Sequence, residues 1–182
     1  MTSCVRATRA VLYRESKNGL AREGLERGRI ESGDPKERGW SVRVRRIDDR
    51  ESRAYSGKSV FSVGRQASFS GEETIPTSVE YLLGALGGDL ISGFQRSAAK
   101  RGVPIEGAEV VVTGRLDNPL VFLGVVGAKG SPSFDSITAV LYVGADAEER
   151  VLREIWASTL AMSPLVTTLE RCLRLDLKIQ PT

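Results

Sequence analysis

The sequence predicts an α+β protein with a mainly antiparallel sheet. Two runs, Trp40 to Ile47 and Leu173 to Ile179, alternate apolar and polar residues with the period of a strand. Between them a single long run repeats apolar residues at three- and four-residue steps, the period of a helix packed on one side. Shorter apolar segments broken by Pro, Gly and Asn fill the rest.

The elements follow in order. Residues 1–37 read as a basic N-terminal extension: Ala7 to Ser16 suits a short helix, Gly19, Gly24, Gly28 and Gly33 break anything longer, and Asp34-Pro35 marks a boundary. In the first strand Trp40, Val42 and Val44 share one face and Ser41, Arg43 and Arg45 the other, as in a half-buried strand. Arg53 to Val63 reads as a further strand or hairpin turning at Ser56-Gly57, and residues 64–76 as a polar loop. Thr77-x-x-Glu80 has the spacing of a capping box, in which each side chain meets a free backbone N–H of the other residue. It opens a helix carrying Val79, Leu82, Leu83, Leu86, Leu90, Phe94 and Ala98, stopped by Gly102 and Pro104. Gly84, Gly87 and Gly88 inside that helix each cost up to about 1 kcal/mol against alanine, so close approach of another helix or chain is expected there. Strands are expected at Ala108–Leu116, Leu120–Gly127 and Ile137–Val143, a helix at Ala147–Met162, a shorter one from Pro164 to about Cys172, and the terminal strand last.

Composition removes whole classes of chemistry. The 182 residues include no histidine, so a Ser-His-Asp triad, a Cys-His pair and a histidine-ligated metal are excluded. Two cysteines, Cys4 and Cys172, are too few for a Cys4 zinc site and form no CxxC pair, and no cofactor is implied. Their number also excludes a disulfide framework and suggests a reducing compartment. The longest apolar stretch, Tyr81 to Phe94, is interrupted by Asp89 and is too short to span a bilayer. No membrane is therefore expected, and a cytoplasmic location is. Residues 1–46 carry 12 basic and 6 acidic side chains, yet the signs interleave with no aromatic stacking pattern, which disfavours nucleic acid.

Asp89 lies three residues after Leu86 and seven after Leu82, on the apolar side of the long helix. A carboxylate there must point out to solvent, be paired, or serve as the acid of a pocket. Ser163 precedes Pro164 at a helix start, the usual place of an N-cap; as a nucleophile it would need a base other than histidine, such as Asp89. Cys172, flanked by Arg171 and Arg174, and Cys4, near Arg6, have the electropositive neighbours that a reactive thiol requires.

The stretch PTSVEYLLGALGGDLISGFQRSAAKRGVPIEGAEVVVTGRLD, Pro76 to Asp117, resembles the OsmC/Ohr family of osmotically inducible and organic hydroperoxide resistance proteins. Ala161-Met162-Ser163-Pro164-Leu165, followed by Thr168-Leu169, resembles that family's second cysteine motif. The resemblance covers about residues 38–182, which would form the OsmC-like domain. It implies an intertwined homodimer in which strands of both chains wrap two central helices, with active sites at the dimer interface. It also implies hydroperoxide reduction by a reactive and a resolving cysteine, with an arginine and a glutamate activating the first thiol.

A gapless match puts Asp89 at the reactive cysteine and Ser163 at the resolving one, with Val79 at the glutamate and Glu80 one place later. The arginine falls among Arg43, Arg45, Arg46, Arg50 and Arg53. Thiolate attack on an O–O bond leaves a sulfenic acid, a cycle that neither aspartate nor serine can run. The expectation is a member without the usual thiol peroxidase activity that binds a small apolar molecule at the dimer interface. Asp89 and Ser163 would be its polar contacts, lined by Glu80, Leu86 and Leu165. The alternatives are a hydroperoxide reductase using Cys172 or Cys4, and an acid–base or hydrolytic enzyme using Asp89 and Ser163.

Overall fold

The computed structural model describes residues 39–64 and 75–182. The expected extension 1–37, Cys4 and most of the expected loop at 64–76 lie outside the described residues. The chain divides into two compact units, one ending at Val63 and the other running from Gly64 to Thr182.

The first unit is a three-stranded sheet in the order β1 (Arg43–Arg46), β2 (Glu51–Ser56), β3 (Ser59–Gly64). β1 and β2 are antiparallel, with Val44 opposite Ala54 and Arg45 opposite Arg53. Asp48 closes the β1–β2 turn by accepting from the N–H groups of Arg50 and Glu51. The turn at Ser56-Gly57 falls where expected, and Gly57 takes the positive φ of 58° that a side chain disfavours. Half-burial of the first strand is not what the chain forms: Trp40 is 91% exposed, and Val42 and Val44 are also exposed. The alternation is present, but no element among the described residues covers that face. Ala54 is the only buried hydrophobic residue among those described in this unit.

The second unit holds the core. Its sheet has the order β4 (Gly107–Leu116), β5 (Phe134–Gly144), β6 (Arg174–Pro181), with β5 central. β4 runs antiparallel to β5 and β6 parallel to it. The long helix α1 (Ser78–Lys100) packs on β4, and α3 (Glu149–Met162) packs beside α1. Every second residue of β5 (Ile137, Ala139, Leu141, Val143) is fully buried, as is the four-residue row Leu86, Leu90, Phe94, Ala98 of α1. Each large aliphatic or aromatic side chain so buried contributes about 1.5–3 kcal/mol. Gly87 explains itself within the chain: a Cβ there would lie 3.1 Å from Val110 and 3.4 Å from Val112 of β4. Gly84 and Gly88 meet nothing among the described residues, so of the close approach expected at all three glycines these residues make it at only one.

The strand expected at Leu120–Gly127 is instead the short helix α2 (Pro119–Phe122) followed by turns. Asn118 caps it by accepting from Leu120 N–H, and Pro119 has no N–H to give to a sheet ladder. Gly124 and Gly127 then take positive φ and end any extended run. Among the described residues no helix is long and apolar enough to cross a membrane.

The capping box forms. Thr77 N–H and Oγ–H both donate to Glu80 Oε2, at 2.7 and 2.8 Å, while Glu80 N–H donates to Thr77 Oγ at 3.3 Å. The backbone and hydroxyl donors of Thr77 hold the Glu80 carboxyl below its ordinary value of 4.5. A depressed folded value gives stability that is complete above 4.5 and lost as pH falls through the folded value. Glu80→Gln is therefore expected to flatten the loss of melting temperature with acidification below pH 4.5, measured by thermal unfolding at a series of pH values.

Candidate functional site

The candidate site is a helix joint. Ser163 closes α3 and opens the six-residue helix α4 (Pro164–Leu169). Pro164, at the first helical position, has no N–H to continue the α3 ladder, so the chain turns at Ser163 with extended backbone. The Ser163 N–H donates to Leu160 C=O at 3.2 Å, and its own C=O accepts from Thr167 N–H at 3.1 Å.

Its side chain faces α1. Ser163 Oγ–H donates to Asp89 Oδ2 at 2.5 Å, and Oγ accepts from Val166 N–H at 3.0 Å. Ser163 is 4% exposed, whereas Asp89 is half-buried at the margin of its helix face. The two candidate residues thus meet across 74 positions of sequence. Asp89 takes the paired option, and Ser163 makes the N-cap bond and holds the carboxylate with one hydroxyl.

Gly93 sets the approach. A Cβ at Gly93 would lie 3.0 Å from Thr159 Cγ2 of α3, so the absence of a side chain there lets the helices close. Asp89 lies one turn before Gly93, and Ser163 one turn after Thr159, which is the register of helices running in opposite directions. Thr159 is buried and returns its hydroxyl to Ile155 C=O at 2.9 Å, leaving its methyl toward α1. The sequence draws attention to Gly84, Gly87 and Gly88, and Gly93 is not among them. Its signal was an interior helical glycine one turn from the unusual carboxylate.

The other candidates are placed differently. Glu80 spends its carboxylate on the cap of α1. Leu86 is wholly buried in the core, and Leu165 is half-buried and packed against it. Cys172 is exposed beyond α4, where its N–H bonds Leu169 C=O at 2.9 Å, and neighbouring Arg174 stands 3.7 Å from Asp135. Arg53 bonds Glu51 at 3.1 Å, and Arg43 stacks over Tyr55 at 4.2 Å from the ring centre. No group of three or more acidic or cysteine side chains among the described residues is placed to hold a metal ion.

A sheet of this order with a long central helix packed on it has counterparts among known proteins. The family model described as OsmC-like protein matches residues 71–178, and the chain belongs to this family. An OsmC-like protein from Mycoplasma pneumoniae superposes with a TM-score of 0.68 at 15% identity, over 80% of this chain and 99% of that one. An organic hydroperoxide resistance protein OsmC from Legionella pneumophila gives 0.56 at 9% identity, over 77% and 95%. The organic hydroperoxide resistance protein OhrB of Bacillus subtilis gives 0.53 at 13%, over 77% and 96%. No curated protein sequence matches the chain.

Ser163→Ala removes both the cap and the partner of Asp89. It is expected to cost about 2.5–4 kcal/mol in urea unfolding, a cap of about 1 kcal/mol and a charge-assisted bond of about 1.5–3. Gly93→Val is expected to cost about 1–3 kcal/mol by forcing α1 and α3 apart.

Proposed function

We infer that this chain is an OsmC-like protein of the organic hydroperoxide resistance kind in which a hydrogen-bonded aspartate and serine have taken the two thiol positions. It does not reduce hydroperoxides at that site; it binds a small apolar molecule between two copies of the chain. The observation that carries this reading is the 2.5 Å bond between Ser163 and Asp89, made by a serine 4% exposed to solvent. A thiol pair at this joint would cycle between thiolate, sulfenic acid and disulfide. The hydroxyl and carboxylate lock the joint instead. Hydrolysis by the same pair is disfavoured, because the Ser163 hydroxyl is buried and its oxygen already accepts from the Val166 N–H as the cap of α4.

The uncovered surfaces of the chain support the homodimer. Trp40, Val42 and Val44 present an apolar strand face that stands exposed among the described residues. Gly84 and Gly88, one turn apart on α1, face open space at a cost that only a close neighbour would offset. A second copy covering both accounts for both.

Purified full-length protein with an organic hydroperoxide and a dithiol is expected to show no turnover above the dithiol alone, and Cys172→Ser to change nothing. Turnover abolished by Cys172→Ser would transfer the activity to that thiol. Light scattering is expected to give twice the 19.7 kDa chain mass, with Gly88→Leu shifting the protein toward monomer. A monomeric unsubstituted protein would contradict the homodimer.

A further inference from the structure

Asp89 carries a charge that one hydroxyl does not neutralise. Ser163 Oγ–H meets Oδ2, and Ser163 is the only side-chain partner of Asp89 among the described residues. A carboxylate accepts on both oxygens, so Oδ1 is left for a donor from outside. The flanking elements offer no cation. The last turn of α3 and the whole of α4 hold no basic residue. On α1 the nearest basic residue in sequence is Arg96, seven positions on and about 10 Å along the axis. A carboxylate drawn partly out of water gains most from a positive partner.

The surroundings of Asp89 are apolar and open. Leu82 and Ala85 precede it by two turns and one turn on the same side of α1, and both are exposed among the described residues. Met162 follows Thr159 by three residues, on the side of α3 that meets α1, yet it is 77% exposed. Leu165 of α4 is half-buried.

We propose that the molecule bound at this joint is a small organic ammonium ion, a cationic amine with an apolar body. The inference rests on the ligand-binding reading above and names the ligand's class. The ammonium donates to Asp89 Oδ1 and offsets its charge, while the alkyl part lies on Leu82, Ala85 and Met162. An alcohol brings a donor without the charge, and a carboxylate is repelled.

Calorimetric titration of the unsubstituted full-length protein at neutral pH compares hexylamine, hexanol and hexanoate, which share one apolar chain. Hexylamine is expected to bind saturably and at least about tenfold more tightly than either of the others. Asp89→Asn, whose amide oxygen can still accept from Ser163, is expected to remove that preference. Met162→Lys, at an exposed position, is expected to weaken hexylamine at least about tenfold by setting a tethered cation beside Asp89. Hexanol or hexanoate binding as tightly as hexylamine would overturn the inference and leave an apolar ligand at the joint. So would an amine preference unchanged by Asp89→Asn or, should that variant not fold, by Met162→Lys. Saturable binding of none of the three would overturn both this inference and the reading it rests on.

Discussion

A carboxylate cannot sit on the packed side of a helix without a partner, and Asp89 has one because α3 ends where it does. Pro164 stops the α3 ladder, Ser163 turns the chain, and the hydroxyl that caps α4 is the one that reaches Asp89. The bond requires α1 and α3 to lie close, which Gly93 against Thr159 permits. One polar contact therefore ties together the central helix, the helix beside it and the start of α4, which leads back into the sheet as β6.

The remainder of the second unit is ordinary aliphatic packing arranged around this joint. The buried column of β5 and the row from Leu86 to Ala98 hold α1 in place. Glu80 and Thr77 fix its first turn. With its first turn capped and its middle packed, α1 holds Asp89 where Ser163 reaches it. The OsmC-like fold is thus kept with Asp89 and Ser163 bonded at this joint.

Local signals were legible in the sequence. The capping box, the Gly57 turn, the alternation of the last strand and the proline-opened helix all depend on neighbours within a few residues. At Leu120–Gly127 the apolar run is ambiguous in period, while Asn118 and Pro119 at its start decide for a helix. At Trp40, Val42 and Val44 alternation reports which face is apolar, not whether the described residues cover it. The meeting of Asp89 and Ser163 was beyond reading from the residues alone. It spans 74 positions and depends on which helix passes Gly93.

The coupling between positions 89 and 163 tests the account most directly. Urea unfolding of the protein, of Asp89→Ala, of Ser163→Ala and of the double variant isolates that pairwise term. A charge-assisted bond at a buried joint predicts a coupling of about 1.5–3 kcal/mol, with the double variant less destabilised than the two single changes added together. Additive costs would mean that the two side chains do not hold the joint together, and the reading of these positions as a polar lock in place of a thiol pair would fail.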